Sequence, residues 1–384
     1  MFYIGGTLVK MLFRVSNLAL AGLLLVLLVV PGCRRGPSIA HGEPAYITAP
    51  QVNLRDRLSA IYNKTGTVKN GERVEILEKS KRFVRVRSPR GEEGWIETRY
   101  LVGPEVFDAL DRLARENVNA PVIARGVTRT ELKMHVTPGR DTDALFRIDE
   151  GAKVDLLKRT SVEKPQSKPV PAKPDNDSEK DKDKNKDATA PPPPLEDWWL
   201  VRDTQAHSGW VLARMIDIDI PTEVAQYAEG QRIMSALVIS RISDTDPDTG
   251  QTREVPQFLT LVNDPKDGTP WDYNQIRVFT WNPKRHRYET AYRERNLYGV
   301  FPVTVSHERF EKEGDLPTFT VHVKDDTGTV VAKKYRLNQP IVLRVLSPEE
   351  QRKQEETKAA RLAAARDSRH AVRPVKTGAR RRRH

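Results

Sequence analysis

The stretch Asn70-Gly-Glu-Arg-Val returns eighty residues later as Glu150-Gly-Ala-Lys-Val, and Glu93-Gly-Trp-Ile returns as Ser208-Gly-Trp-Val. An internal repeat constrains a fold more than any single motif, because the same unit must close twice within one chain. Around the first copy, 46–102, short runs alternate apolar and polar: Val74-Glu-Ile-Leu, Phe83-Val-Arg-Val-Arg and Gly94-Trp-Ile. Turn residues divide them at Lys69-Asn-Gly71, Lys79-Ser-Lys and Ser88-Pro-Arg-Gly. Short period-two strands with frequent turns predict a small all-β barrel. In the second copy Trp199-Leu-Val-Arg is set against Phe83-Val-Arg-Val.

The unit resembles the bacterial SH3-type domain. That family's opening Asn-Val-Arg-Ser stands here as Asn53-Leu54-Arg55-Asp56, its central glycine as Gly71 and its Gly-Trp hairpin as Gly94-Trp95. In the second copy Met134-His135 replaces the Val-Arg pair, while Thr137-Pro138-Gly139-Arg140 fits the following turn. The resemblance implies five-stranded barrels of envelope proteins, with peptidoglycan or a wall peptide as ligand class. A small barrel offers a shallow aromatic groove between loops, suited to extended ligands. Candidate ligand-binding residues are Arg55, Tyr62, Trp95, Tyr100 and Trp210. Trp95 and Trp210 are equally suited to plugging a barrel end.

The expected organisation is a first barrel over 46–103, a helical spacer over 104–119 and a second barrel over 120–218. Val106, Phe107, Leu110 and Leu113 follow Pro104 at helical spacing. The second barrel carries an insertion, 162–195. Within it, 163–187 has 7 lysines against 7 acidic residues, with prolines and hardly an apolar side chain. Such a segment cannot bury enough surface to offset chain entropy and is expected to be disordered.

Segment 219–347 reads as a third, β-rich domain, a sandwich or partial barrel. Its opening, Thr222 to Ser240, starts with a helical pattern. Hairpins are predicted around Asn282-Pro-Lys-Arg and Asp325-Asp-Thr-Gly, and Gln339-Pro-Ile-Val-Leu-Arg-Val-Leu is a last strand. The tail, 348–384, is helix-prone without an apolar stripe and ends in Arg380, Arg381, Arg382 and Arg383. It holds 12 Lys and Arg against 5 Asp and Glu, so more than half of the net charge of +12 sits there. The basic cluster suits anionic lipids or wall polymers outside the cytoplasm. No nucleic-acid partner is expected.

At the other end, Leu18 to Val30 is an apolar run of signal-peptide length behind Lys10 and Arg14. Pro31-Gly32 stops any helix, and Cys33, the only cysteine of the chain, follows. Segment 1–32 is therefore a signal peptide or a membrane anchor, with Met11 as an alternative start. The run resembles the lipobox of bacterial lipoproteins, which implies that Cys33 carries lipid. The alternatives are a plain signal or an uncleaved anchor. With one cysteine, no intramolecular disulfide frames the fold.

Catalytic signatures are sparse. Cys33 lies at the membrane end and does not serve as a thiol nucleophile. The eight histidines show no metal spacing, although His286, His307 and His322 fall in one domain. No Gly-x-Ser-x-Gly elbow and no phosphate loop appear. The expected class is mainly β: two small SH3-like barrels, a β-rich third domain, and a disordered insertion and tail. The expected protein is a membrane-anchored binding protein of the bacterial cell envelope, facing the periplasm or exterior, with no enzyme activity, cofactor or metal. Two alternatives are a scaffold that binds another envelope protein through the third domain, and a wall hydrolase with an unrecognised site.

Overall fold

The computed structural model describes residues 42–165, 193–246 and 249–371. The anchor segment with Cys33, the middle of the insertion and Arg380 to Arg383 lie outside the described residues.

The first sheet comprises β1 (Glu43–Ile47), β2 (Gln51–Arg55), β3 (Lys64–Lys69), β4 (Arg73–Ser80), β5 (Phe83–Arg87), β6 (Glu93–Glu97) and β7 (Leu101–Val102), in the order β3-β2-β6-β5-β4-β1-β7. The second comprises β8 (Ala124–Thr128), β9 (Leu132–His135), β10 (Ala144–Ile148), β11 (Lys153–Glu163), β12 (Leu195–Arg202), β13 (Ser208–Leu212) and β14 (Ile216–Ile218), in the order β10-β9-β13-β12-β11-β8-β14. The second order repeats the first strand for strand. Each sheet has seven strands rather than the expected five. The repeated glycines have physical causes. Gly71 and Gly151 both turn with positive φ, +76° and +75°. At Gly94 and Gly209 a β-carbon would lie 2.7 Å from Leu54 Cβ and 2.5 Å from Met134 Cβ, so the crossing strands need glycine there.

Alternation decides which side chains fill each interior. In the first barrel Leu54, Val74, Val84, Val86 and Ile96 point inward. In the second, Met134, Val154, Trp199, Val201 and Val211 do so. Pairing of Val201 with Gly209 and of Val86 with Gly94 aligns Trp199 with Val84, not with Phe83. The sequence alignment of the two copies was therefore one residue out of register, and one residue exchanges the two faces of a strand. Trp199 is core, and Trp198 takes the outward position of Phe83.

The helix α1 (Pro104–Glu116) begins at Pro104, whose fixed φ suits a first turn. It does more than space the barrels. Val106 and Leu110 pack with Leu145, Tyr46 and Phe146, so one face touches both barrels, and the Tyr46 and Phe107 rings stack at 4.3 Å. Asn70 locks this joint. Its amide donates to the Leu145 carbonyl at 2.8 Å, and its oxygen accepts the Arg147 N–H at 3.0 Å.

The ladder of β11 and β12 runs as far as Glu163 opposite Leu195. The hairpin arms thus extend into both ends of the segment expected to be disordered. They carry Arg159 and Asp197, an ion pair at 2.8 Å with side chains 3% and 1% exposed. Arg159 also donates to the Trp271 carbonyl, and the Gly268 N–H donates to Asp197. The second barrel is thereby fastened to the third domain.

That domain is a sandwich of two four-stranded antiparallel sheets. One is β15 (Arg232–Thr245), β16 (Thr252–Asn263), β17 (Gln275–Asn282) and β18 (Arg287–Glu294). The other is β19 (Gly299–Phe310), β20 (Gly314–Lys324), β21 (Val330–Asn338) and β22 (Ile341–Val345). Leu259, Ile276 and Val278 of the first meet Phe319, Val321 and Leu337 of the second in one core. Both predicted hairpins and the last strand are present. The helical opening shrinks to a single turn, α2 (Thr222–Ala225), because Ile233, Met234 and Ile239 are claimed by the sheet. The helix α3 (Pro348–Ala371) starts from a capping box, in which Glu350 accepts the Ser347 N–H and Ser347 Oγ accepts that of Glu350.

Candidate functional site

In β5 and β6, Val84, Val86, Gly94 and Ile96 face the core, so Phe83, Arg85, Glu93 and Trp95 face out. Trp95 stands opposite Arg85 on one side and Arg55 of β2 on the other. It is half-buried on the outer face and does not plug the barrel. The Arg55 guanidinium lies 4.4 Å from the centre of the Tyr62 ring and 5.8 Å from that of Phe83. The result is a strip of aromatic rings interleaved with cations. Arg and aromatic side chains attract through the ring quadrupole, and the guanidinium keeps donors for an anionic group.

Local chemistry holds this strip. Tyr62 sits on the β2–β3 loop, which Asp56 ties shut: its carboxylate accepts the Asn63 N–H at 2.8 Å and the Asn63 side chain at 3.0 Å. The bond from Arg57 and then that from Asn63 hold the Asp56 carboxyl down to about 2. Glu93 accepts from Arg85 at 2.9 Å and from Arg87 at 2.8 Å, and Arg87 above all holds its carboxyl below the usual range. Leu58 and Ile61 stand exposed on the same loop.

Of the five residues singled out from sequence, Arg55, Tyr62 and Trp95 come together. Tyr100 belongs to the turn Thr98–Tyr100, where Arg99 donates to its hydroxyl at 3.0 Å and lies over its ring. Trp210 occupies the position of Trp95 but is buried, packed with Leu157, Trp198 and Leu200 and with Leu113 of α1. Across from it His135 replaces Arg55, its ring edge-on to Trp198 at 5.3 Å, and burial lowers its pKa. The second barrel therefore presents no counterpart of the strip, because α1 covers the apolar outer face. Phe83 and Arg85 were missed. The alternation in Phe83-Val-Arg-Val-Arg was the available signal, since it puts both on the face of Trp95.

Among the described residues, no three His, Cys, Asp or Glu side chains are placed to hold a metal ion. No described helix is long and apolar enough to cross a membrane.

Residues 50–102 match the family model of the bacterial SH3 domain, so the first barrel is a domain of that family. A Bacillus subtilis (strain 168) protein with the name "Putative N-acetylmuramoyl-L-alanine amidase YrvJ" is 24% identical over 122 residues. The match covers 32% of this chain and 22% of that protein, so the chain spans about a fifth of the length of the curated relative it matches. Among solved structures, an NlpC/P60 family protein from Bacillus cereus ATCC 10987 aligns over 78% of this chain and 95% of its own, with 10% identity and a TM-score of 0.21. NlpC2 from Trichomonas vaginalis aligns over 79% and 95%, with 12% identity and a TM-score of 0.15. TM-scores this low do not indicate a shared overall fold. The amidase match overturns the expectation of a chain without enzyme activity, which rested on missing motifs alone.

Proposed function

We propose that this chain acts in bacterial cell-wall hydrolysis, with the first barrel as the module that grips the wall. The observation that carries the wall-binding part is the open strip of Arg55, Tyr62 and Trp95 on a barrel of the bacterial SH3 family. Arg55 and Arg85 suit the carboxylates of wall peptides, and the rings suit their apolar or glycan parts. The hydrolytic part is supported by the similarity to an amidase. The apolar run before Cys33 supports export and a membrane anchor, and Arg380 to Arg383 support contact with anionic envelope polymers.

The test is incubation of the chain with purified sacculi at low and moderate salt, reading both pelleting and soluble fragments. Pelleting that survives moderate salt, with release of muropeptides over time, is the expected result; salt removes what the arginine tail binds nonspecifically. Pelleting without release would leave a binding module and sink the hydrolytic part. Release without pelleting would sink the role given to the barrel.

A further inference from the structure

The outer face of the β15–β18 sheet carries a cavity of about 430 Å³, roofed by the segment around α2 and lined by Glu223, Tyr227, Arg253, Glu254, Trp281 and His286. That size falls within the range of small-molecule sites. It lies in the third domain, away from the barrels, and nothing in the barrel strip depends on it.

Its chemistry is built from behind. Asp244 is 2% exposed and has one carboxylate oxygen, Oδ1, without a partner. Its other oxygen accepts from Arg253 Nη2 at 3.4 Å and lies 3.5 Å from His286 Nδ1. Arg253 is also laid over the Trp281 ring at 5.1 Å. A guanidinium fixed by an aromatic face and by a carboxylate at one edge is pre-organised, because its planar fork loses little further freedom on binding. Among the described residues Arg253 Nε and Nη1 donate to no protein acceptor. Trp281 is fixed in turn by Tyr288, edge-on at 5.1 Å, whose hydroxyl donates to the Pro256 carbonyl at 2.8 Å. His286 holds a positive φ of 45° in the β17–β18 turn, a conformation that costs a non-glycine residue energy and recurs at binding sites.

We propose that this cavity binds a short peptide with free ends, its carboxylate on the open edge of Arg253 and its amino end toward Glu223 of the roof. Opposite charges on two walls select a dipolar ligand over a simple anion. The guanidinium covers one face of the Trp281 indole, which leaves less of the ring for a sugar to stack on and favours a peptide over a glycan. Val255 and Pro256 supply the apolar wall for the side chain between the two ends.

The probes are dialanine, its C-terminal amide and its N-acetyl form, titrated into the full chain by saturation-transfer NMR and calorimetry. Dialanine is expected to bind at millimolar or lower concentration, and each blocked form about tenfold or more weakly, the loss of one charge-assisted contact. Arg253→Gln, which takes a counter-charge from the buried Asp244, should lower the melting temperature and, in the protein still folded at the titration temperature, abolish the preference for dialanine over its amide. Equal binding of dialanine and its amide, a preference that survives Arg253→Gln, or no binding at millimolar concentration would each overturn the proposal. The same titration on Arg55→Ala separates the two sites: a preference for dialanine over its amide that remains in Arg55→Ala belongs to this cavity, whereas one that disappears there belongs to the barrel strip and overturns the proposal.

Discussion

Trp95 faces Arg55 across β2 and β6 on an open barrel surface, while the tryptophan at the same position of the second barrel is sealed under α1. Two copies of one topology thus have opposite uses for one face. Facing out on β5 and β6 of the first copy are Phe83, Arg85, Trp95 and Glu97. At the matching places the second has Trp198, Leu200, Trp210 and Leu212, which need cover.

The open strip predicts that Arg55→Ala and Trp95→Ala each weaken pelleting with sacculi, with stability lowered by no more than about 1 kcal/mol, the middle of the range for single substitutions. Tyr100→Ala should leave pelleting unchanged, since Tyr100 pairs with Arg99 in a separate turn. Pelleting and thermal melts of the three variants check this. Equal loss in all three would mean that the strip is not the contact surface.

The covered face predicts the reverse at Trp210. Removing a fully packed tryptophan leaves a cavity and typically costs about 3–5 kcal/mol. Trp210→Ala should lower the midpoint of urea unfolding strongly, while the folded fraction still pellets with sacculi. A loss of pelleting with unchanged stability would show that α1 leaves the face in solution.

The contrast also shows what could be seen in the chain beforehand. Hairpins around Asn282 and Asp325 were legible because turn chemistry and alternation are local signals. Gly71 and Gly94 marked the barrel because a turn and a strand crossing admit little else. The match of Trp199 to Phe83 went wrong by one residue because aromatic likeness was weighed above inward and outward alternation. Trp210 was picked for a site because its neighbour in space, Leu113, lies almost a hundred residues away, and no local pattern reports such cover. The part of Arg159 and Asp197 in joining two domains was invisible for the same reason: their partners, at Gly268 and Trp271, come from a distant loop.

That joint carries the last prediction. Burial pushes the Asp197 carboxyl up, but Arg159, the Gly268 N–H and Ser161 together outweigh it and hold the carboxyl below the ordinary aspartate value. A depressed folded-state pKa contributes stability that is complete above the unfolded value, about 3.9, and is lost as pH falls through the folded value. Asp272 nearby acts in the opposite sense, because burial raises its pKa and low pH relieves it. Comparing Asp197→Asn with the parent isolates the Asp197 contribution. At neutral pH the variant leaves Arg159 short of its closest counter-charge, and breaking a buried pair in this way typically costs about 3–5 kcal/mol. The gap between variant and parent should begin to narrow as pH falls below the unfolded value, about 3.9, and close only once pH has passed the depressed folded value of Asp197. Urea midpoints of both proteins across the acid range give this directly. A gap that stays constant to low pH would mean that the loss comes from packing rather than from the charge.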